Sequence, residues 1–328
     1  MPNAGGTMQK IKIGISSCLL GHPVRYDGRH KLQPGLRGRL ERYVEFVPIC
    51  PEVLSGMGIP REPMNLEGKI TAPRLITHNS RTDKTGLLKN WAEKEVERLA
   101  AENLCGFIFK SGSPSCGLEK VKVYADKGAP VKSGMGIFTR AFTSRYPLLP
   151  VTDELRLGNV RRMENYIETV LTLQRWRETR SCSRLTDAWR EFHRHHHLLL
   201  LAHSRELGSR MDRLLAVLTT KGKTVEVLLK QYEKLLFKAL QLKITPAKNA
   251  LVLHKIHVCL KKHASAAEKE TLARMSADCR QGLKPLYACL ALARRYAEKY
   301  DCEYLRQQVC LNPHPLLLQL QKCMWRFR

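Results

Sequence analysis

The stretch "GFIFKSGSPSCG", residues 106–117, decides how this chain is read. Gly106 to Phe109 is a short apolar run, and eight residues rich in Ser, Gly and Pro follow it with a single Cys. The first part reads as a buried strand, and the second as a loop built from backbone turns. The preceding "NWAEKEVERLAAENL" (90–104) has apolar residues at helical spacing and good helix formers, which predicts a helix. Further out, "IKIGIS" (11–16) and "YVEFVPI" (43–49) read as strands, "RLIT" (74–77) as a weak one and "VKVYA" (121–125) as another, with a helix over "GIFTRAFTSRY" (136–146). Strands alternating with helices predict an α/β domain, Rossmann-like, with a mainly parallel sheet.

From Glu154 onward strand-like runs vanish and helical patterns take over. Thr186 or Asp187 is a candidate cap for the helix carrying "FHRHHHLLLLAHS", and Ser265-Ala-Ala-Glu268 is a capping-box pattern. The expected organisation is an α/β domain over 8–153, a helical connector over 154–184 and an all-α domain over 185–328.

Among the 328 residues are 56 Lys+Arg against 30 Asp+Glu, a formal net charge of +26. Residues 1–150 carry 23 basic against 13 acidic side chains, and residues 151–328 carry 33 against 17. Both halves are basic, the second more so, which points to a polyanionic partner, nucleic acid first. The longest apolar burst, Leu198 to Ala202, is far short of a membrane span, and the first ten residues lack a signal peptide's apolar region. The expectation is a soluble, cytoplasmic protein with no membrane association. Eleven Cys without a CxxC pair argue against a secreted disulfide framework, a zinc ribbon and a thioredoxin-type motif. Cys182, Cys259, Cys279, Cys289, Cys302, Cys310 and Cys323 fall in helical patterns and read as small buried hydrophobes.

Three other cysteines sit just past predicted strand ends: Cys18 after 11–16, Cys50 after 43–49, and Cys116 in the opening loop. In a parallel sheet all carboxyl ends share one edge, where ligands bind, so three distant thiols would converge there. Cys105 precedes its strand and belongs at the other edge. Three converging thiols suit either a zinc ion completed by water or an iron–sulfur cluster with one iron free of protein ligand. Glu52, two residues after Cys50, is placed for proton transfer or for capping the segment that follows. Ser111 and Ser113 can aim hydroxyls into the crevice, with Pro114 directing Ser113, while Ser115 reads as support for the turn.

"ISSCLLGHPVRYDGRHK", "CPEVLSGMGIPREP", "SRTDKT" and "FIFKSGSPSCG" together resemble the TudS-type thiouracil desulfidase family across residues 11–150. "FHRHHHLLLLAHS", "CRQGLKPLY" and "YLRQQVCLNPHP" resemble the YbgA-like domain, and the fusion resembles RudS-type enzymes that remove sulfur from 4-thiouridine in bacterial tRNA. The resemblance implies that Cys18, Cys50 and Cys116 ligate a 4Fe–4S cluster with one open iron. It implies Glu52 as acid/base and Ser113 as its assistant, uridine and hydrosulfide as products without net redox change, and tRNA as the partner, with no obligatory protein partner. An open iron would favour a thiocarbonyl over a carbonyl and act as a Lewis acid.

Arg25 and Tyr26 offer a phosphate contact and a stacking surface, although Asp27-Gly28 is a turn signal and Tyr26 could pack. Arg61, between Pro60 and Pro63, is positioned for a phosphate or for Glu67. His193, His195, His196 and His197 lack a carboxylate at zinc spacing and read as helix packing or a hydrogen-bonding face for RNA.

Overall fold

A computed structural model describes residues 10–125, 131–218, 225–284 and 286–325, and these divide into two units, residues 1–173 and 174–328. Strands β1 (Ile11–Ser16) and β2 (Val44–Ile49) pair in parallel over six residues, Ile11 opposite Val44 and Ser16 opposite Ile49. Helices α1 (Pro34–Leu40) and α2 (Pro51–Leu54) flank β2. Strands β3 (Met64–Glu67) and β4 (Arg74–Thr77) precede α3 (Thr85–Arg98). Then come β5 (Gly106–Phe109), β6 (Val121–Tyr124), β7 (Val131–Gly134), α4 (Ile137–Arg145) and β8 (Val151–Asp153). One sheet runs β2-β1-β5-β8, every neighbour parallel.

The second sheet, β4-β3-β6-β7, departs from expectation: β3 pairs antiparallel with β4 and β6 with β7, so 74–77 and 121–124 stand outside the parallel sheet. Its other strands, "MNLE" and "VKSG", are four residues each and carry too little alternation to be read. The fourth parallel strand, "VTD", lies outside the runs read as strands, because it is three residues long and Asp153 already caps the next helix, α5 (Glu154–Leu157), accepting from Arg156 N–H at 2.8 Å. The α3 helix begins five residues earlier than read and passes into a 3-10 turn ending at Asn103, whose φ of 51° is left-handed.

β5 is the spine of this unit's core. Phe107 and Phe109, both with no exposed surface, stack at 4.2 Å, and Phe142 packs edge-on to Phe107 at 4.8 Å. Gly14 on β1 makes the fit possible, since a Cβ there would lie 2.3 Å from the Phe107 ring.

The second unit is helical throughout its described residues. The division falls inside α6 (Val160–Arg180), and α7 (Leu185–His203), α8 (Arg205–Val217), α9 (Val225–Leu240), α10 (Pro246–Leu260), α11 (Ala266–Arg280), α12 (Leu286–Lys299), α13 (Glu303–Arg306) and α14 (Pro315–Trp325) follow. Trp176 stacks on Tyr232 at 5.1 Å, with Trp189 edge-on to that ring at 5.2 Å. Ser265 and Glu268 form the expected capping box. Neither Thr186 nor Asp187 caps α7: the N-cap is Arg184, without a side-chain cap bond, and the serviceable cap is Ser204, which starts α8. Cys182 is exposed, against expectation, because it lies in the turn beyond α6. Cys289 is buried, and Cys259, Cys279, Cys302 and Cys310 pack partly against the core. The Cys323 side chain lies outside the described residues. No described helix is long and apolar enough to cross a membrane.

The histidines of α7 are packing residues. His193 and His196 are buried. His196 stacks on Phe192 at 3.9 Å and donates from Nδ1 to the Phe192 carbonyl at 2.7 Å. Burial holds His196 down to about pKa 3 and His203 to about 4. A base whose pKa falls on folding stabilises the fold while neutral, so this contribution is complete above about pH 6.5 and is lost as pH falls toward 3. At pH 5 the loss from His196 alone is about 2 kcal/mol. The melting temperature of the helical unit should therefore drop between pH 7.5 and 5. His196→Met, which has no proton to gain, should shrink that drop in a calorimetric scan.

Candidate metal centre

Parallel pairing places the next residues of β1, β2 and β5 at one sheet edge. Beyond β1 the chain enters a 3-10 turn, Ser17–Leu20, closed by left-handed Gly21, and Cys18 sits inside it. Beyond β2, Cys50 is the N-cap of α2, so Glu52 falls in that helix's first turn. Beyond β5 comes the opening loop. Its Lys110 N–H donates to Ser16 Oγ at 2.9 Å, tying it to the end of β1. Ser113 Oγ accepts from the N–H groups of Cys116 at 3.1 Å and Ser115 at 3.3 Å, folding the loop around itself. The carbonyls of Pro114 and Ser115 accept from Ile137 and Phe138 N–H, satisfying the first turn of α4. Contact is so close that a Cβ on Gly136 would meet the Ser115 carbonyl oxygen at 2.5 Å.

All nine residues singled out in the sequence line one cavity of about 260 Å³: Cys18, Cys50, Cys116, Glu52, Ser113, Ser111, Arg25, Tyr26 and Arg61. Cys105 lies at the opposite end of β5, its N–H bonded to Lys12 O. Burial pushes the Cys18 thiol up to about 11, and the neighbouring Cys50 adds to the shift. Burial also raises Cys50, and raises Cys116 well above its ordinary value, with Cys50 and Glu52 opposing a second negative charge. Each thiol resists ionising beside the next, and a bound cation would reverse that balance. Among the described residues, no group of three His, Cys, Asp or Glu side chains is spaced to hold a single metal ion.

Glu52 does not cap its helix. Its Oε2 accepts from Arg61 Nε at 2.9 Å and from Arg61 Nη2, and its Oε1 accepts from Ser115 Oγ at 2.5 Å. Arg61 also donates to Gly58 O and Val24 O, and only 6% of its side chain is exposed. Its donors are thus committed to Glu52 and the backbone rather than offered to phosphate, and Glu67 pairs with Arg81 instead. Because a carboxylate only accepts, the Ser115 hydrogen points to Glu52. The 3.0 Å contact between Ser113 and Ser115 hydroxyls then has Ser113 as donor. The result is a chain from Ser113 through Ser115 to Glu52. Ser115 is more than a turn support, a role its 0% exposure could not reveal in sequence.

Glu154 is the residue that sequence reading missed. It follows the short β8 and accepts from Lys110 Nζ at 2.6 Å, Ser111 N–H at 2.8 Å and Ser111 Oγ at 2.5 Å. Burial alone would raise its pKa, but Lys110 and Ser111 bring it below the usual carboxylate range. Ser111 is therefore turned to Glu154, and Lys110 is held where its charge favours the Cys18 thiolate. Arg25 and Tyr26 stand at the rim, the guanidinium 5.4 Å from the ring centroid and 3.6 Å from Asp27.

The 2-thiouracil desulfurase family model matches residues 13–154, and residues 197–315 match a protein family of unknown function, DUF1722. The uncharacterized protein YbbK of Bacillus subtilis (strain 168) is 34% identical over 108 residues, 31% of this chain and 71% of that one. A solved [4Fe-4S]-dependent thiouracil desulfidase, TudS, is 33% identical across 45% of this chain and 94% of its own, with a TM-score of 0.37.

The buried pair gives a direct prediction. Arg61→Gln should cost about 2 kcal/mol in denaturant unfolding of the first unit, because Glu52 keeps its burial and loses charged donors. Adding Glu52→Gln should recover part of that loss. Simple additivity of the two losses would show that the pair is not coupled.

Proposed function

The chain belongs, over residues 13–154, to the 2-thiouracil desulfurase family, whose chemistry is carbon–sulfur cleavage, and from that premise we propose that it is an iron–sulfur desulfidase converting 4-thiouridine in tRNA to uridine and hydrosulfide without net redox change. The observation that carries this reading is the meeting of three strand-end thiols and one held carboxylate on a single cavity.

The donor set fits the group. Thiols are soft ligands suited to iron–sulfur clusters, and a cluster spreads its ligands over several metal corners, where a lone ion needs them tightly gathered. Cys18, Cys50 and Cys116 would hold it, and with Cys105 at the far edge one iron would lack a cysteine. When bound, the cluster supplies a thiophilic Lewis acid for the thiocarbonyl sulfur.

The chain's own residues do the rest. Glu52, oriented by Arg61 and Ser115, takes a proton from water at the carbon losing sulfur and returns one to the departing sulfur. Water brings one oxygen and two hydrogens; the carbonyl keeps the oxygen, one hydrogen leaves on sulfur as hydrosulfide, and the second is released to solvent as a proton. Ser113, through Ser115, fixes Glu52 and completes a path for a proton. Lys110, held by Glu154, keeps positive charge beside Cys18. Arg25 and Tyr26 at the rim suit a phosphate and the face of a base turned out of its stack. The excess of basic over acidic side chains in both halves supports tRNA over a free base.

Protein purified without oxygen and mixed with thiolated tRNA should abolish the near-ultraviolet absorbance of thiouridine, and faster than it consumes free 2-thiouracil at equal concentration. Glu52→Gln should slow this by about 100-fold or more. Persistence of both the tRNA thiouridine and the free base overturns the desulfidase reading, whereas loss from the free base alone moves the substrate away from tRNA.

A further inference from the structure

In the second unit, α7, α8 and α10 surround a second cavity of about 390 Å³, which the chemistry above does not use. Two cations stand on it, Arg205 at the start of α8 and Lys255 on α10; both are exposed and form no ion pair among the described residues. His254, also exposed, lies beside Lys255 on the same wall. Among these cations is one carboxylate, Asp212. Its position is fixed from behind: His193 Nε2 donates to Asp212 Oδ1 at 2.8 Å, and His193 Nδ1 accepts from the Tyr232 hydroxyl at 2.9 Å. Burial keeps His193 below its ordinary pKa, consistent with a neutral ring bonded on both sides. Asp212 is left half exposed to the cavity with Oδ2 free of that bond.

A fixed acceptor sharing one cavity with two cations that form no ion pair among the described residues asks for a ligand that carries both an anionic group and a hydroxyl donor. An acidic peptide offers anions but would set carboxylates against Asp212. A divalent cation would meet Arg205 and Lys255, and the described residues hold no metal-spaced group here. A ribonucleotide unit matches, phosphate to the cations and 2′-hydroxyl to the carboxylate. We propose that this groove seats one nucleotide of a ribonucleic acid strand, with the phosphate between Arg205 and Lys255 and the 2′-hydroxyl on Asp212. The choice of a strand rests on the RNA-directed reading above.

The test measures fluorescence anisotropy of a labelled single-stranded oligoribonucleotide, and of its deoxyribonucleotide counterpart, on the full-length protein. It needs neither cluster nor turnover, so failure of the groove and failure of the desulfidase reading are told apart. Wild type should prefer the ribonucleotide strand. The R205Q/K255Q variant should weaken both strands by about tenfold and reduce the slope of log affinity against log salt by about 0.7, the share of the one phosphate the two cations hold. The R205K/K255R variant should retain affinity, which separates charge from folding. Asp212→Asn should bring the ribo-over-deoxy preference close to one. The proposal is overturned by R205Q/K255Q binding like wild type, by an unchanged preference in Asp212→Asn, or by capture of uridine monophosphate without the strand.

Discussion

The parallel pairing of β1 with both β2 and β5 is the constraint on which the rest depends. It forces three segments far apart in the chain to end at one edge, and each ends there in a different way: a 3-10 turn, a helix N-cap and a self-bonded loop. Three thiols thereby approach one cavity from three directions. A one-residue slip of either pairing would turn the strand's side chains to the opposite face and scatter them. The buried aromatic stack of Phe107 and Phe109, closed over Gly14, opposes such a slip by specifying which face of β5 enters the core.

Concentrating thiols and a carboxylate in a buried place creates an electrostatic difficulty, and the neighbouring cations answer it in two layers. Arg61 lies against Glu52, and Lys110 is anchored by Glu154 within reach of Cys18. Both cations are bound to carboxylates and to backbone oxygens, so neither swings freely into the cavity. The serines have a related task. Ser113 gives its lone pairs to the loop backbone and its hydrogen to Ser115, which leaves Ser115 directed at Glu52.

Much of this was legible because strand ends can be read where an apolar run stops. The runs at 11–16, 43–49 and 106–109 stand out, and Cys18, Cys50, Cys116 and their neighbours Glu52, Ser111 and Ser113 followed from them, while Arg25, Tyr26 and Arg61 were read from the loops between. The partners of Glu52 were not legible, since Arg61 is nine residues away and Ser115 sixty-three, and no periodicity links them. Glu154 was hidden because β8 is only three residues long. Two strands of the second sheet, 74–77 and 121–124, could be read, but their pairing was hidden because their partners at 64–67 and 131–134 are short and partly polar. The helix boundary at Ser204 was not legible because Ser204 breaks no apolar period, although it offers a hydroxyl cap. The two-domain pattern also shows that basic charge is a property of both halves, while the fixed acceptor in the helical unit, Asp212, could be seen only once His193 and Tyr232 were placed around it.

The central claim is that Cys18, Cys50 and Cys116 together hold an iron–sulfur cluster. Iron and acid-labile sulfide analysis of protein reconstituted without oxygen, read beside its visible spectrum, tests it most directly. The account predicts about four iron and four sulfide per chain, with broad visible absorbance that is lost on replacing any one of the three cysteines by serine and retained in Cys105→Ser. Zinc in place of iron, or a cluster that survives each of those three substitutions, would contradict it.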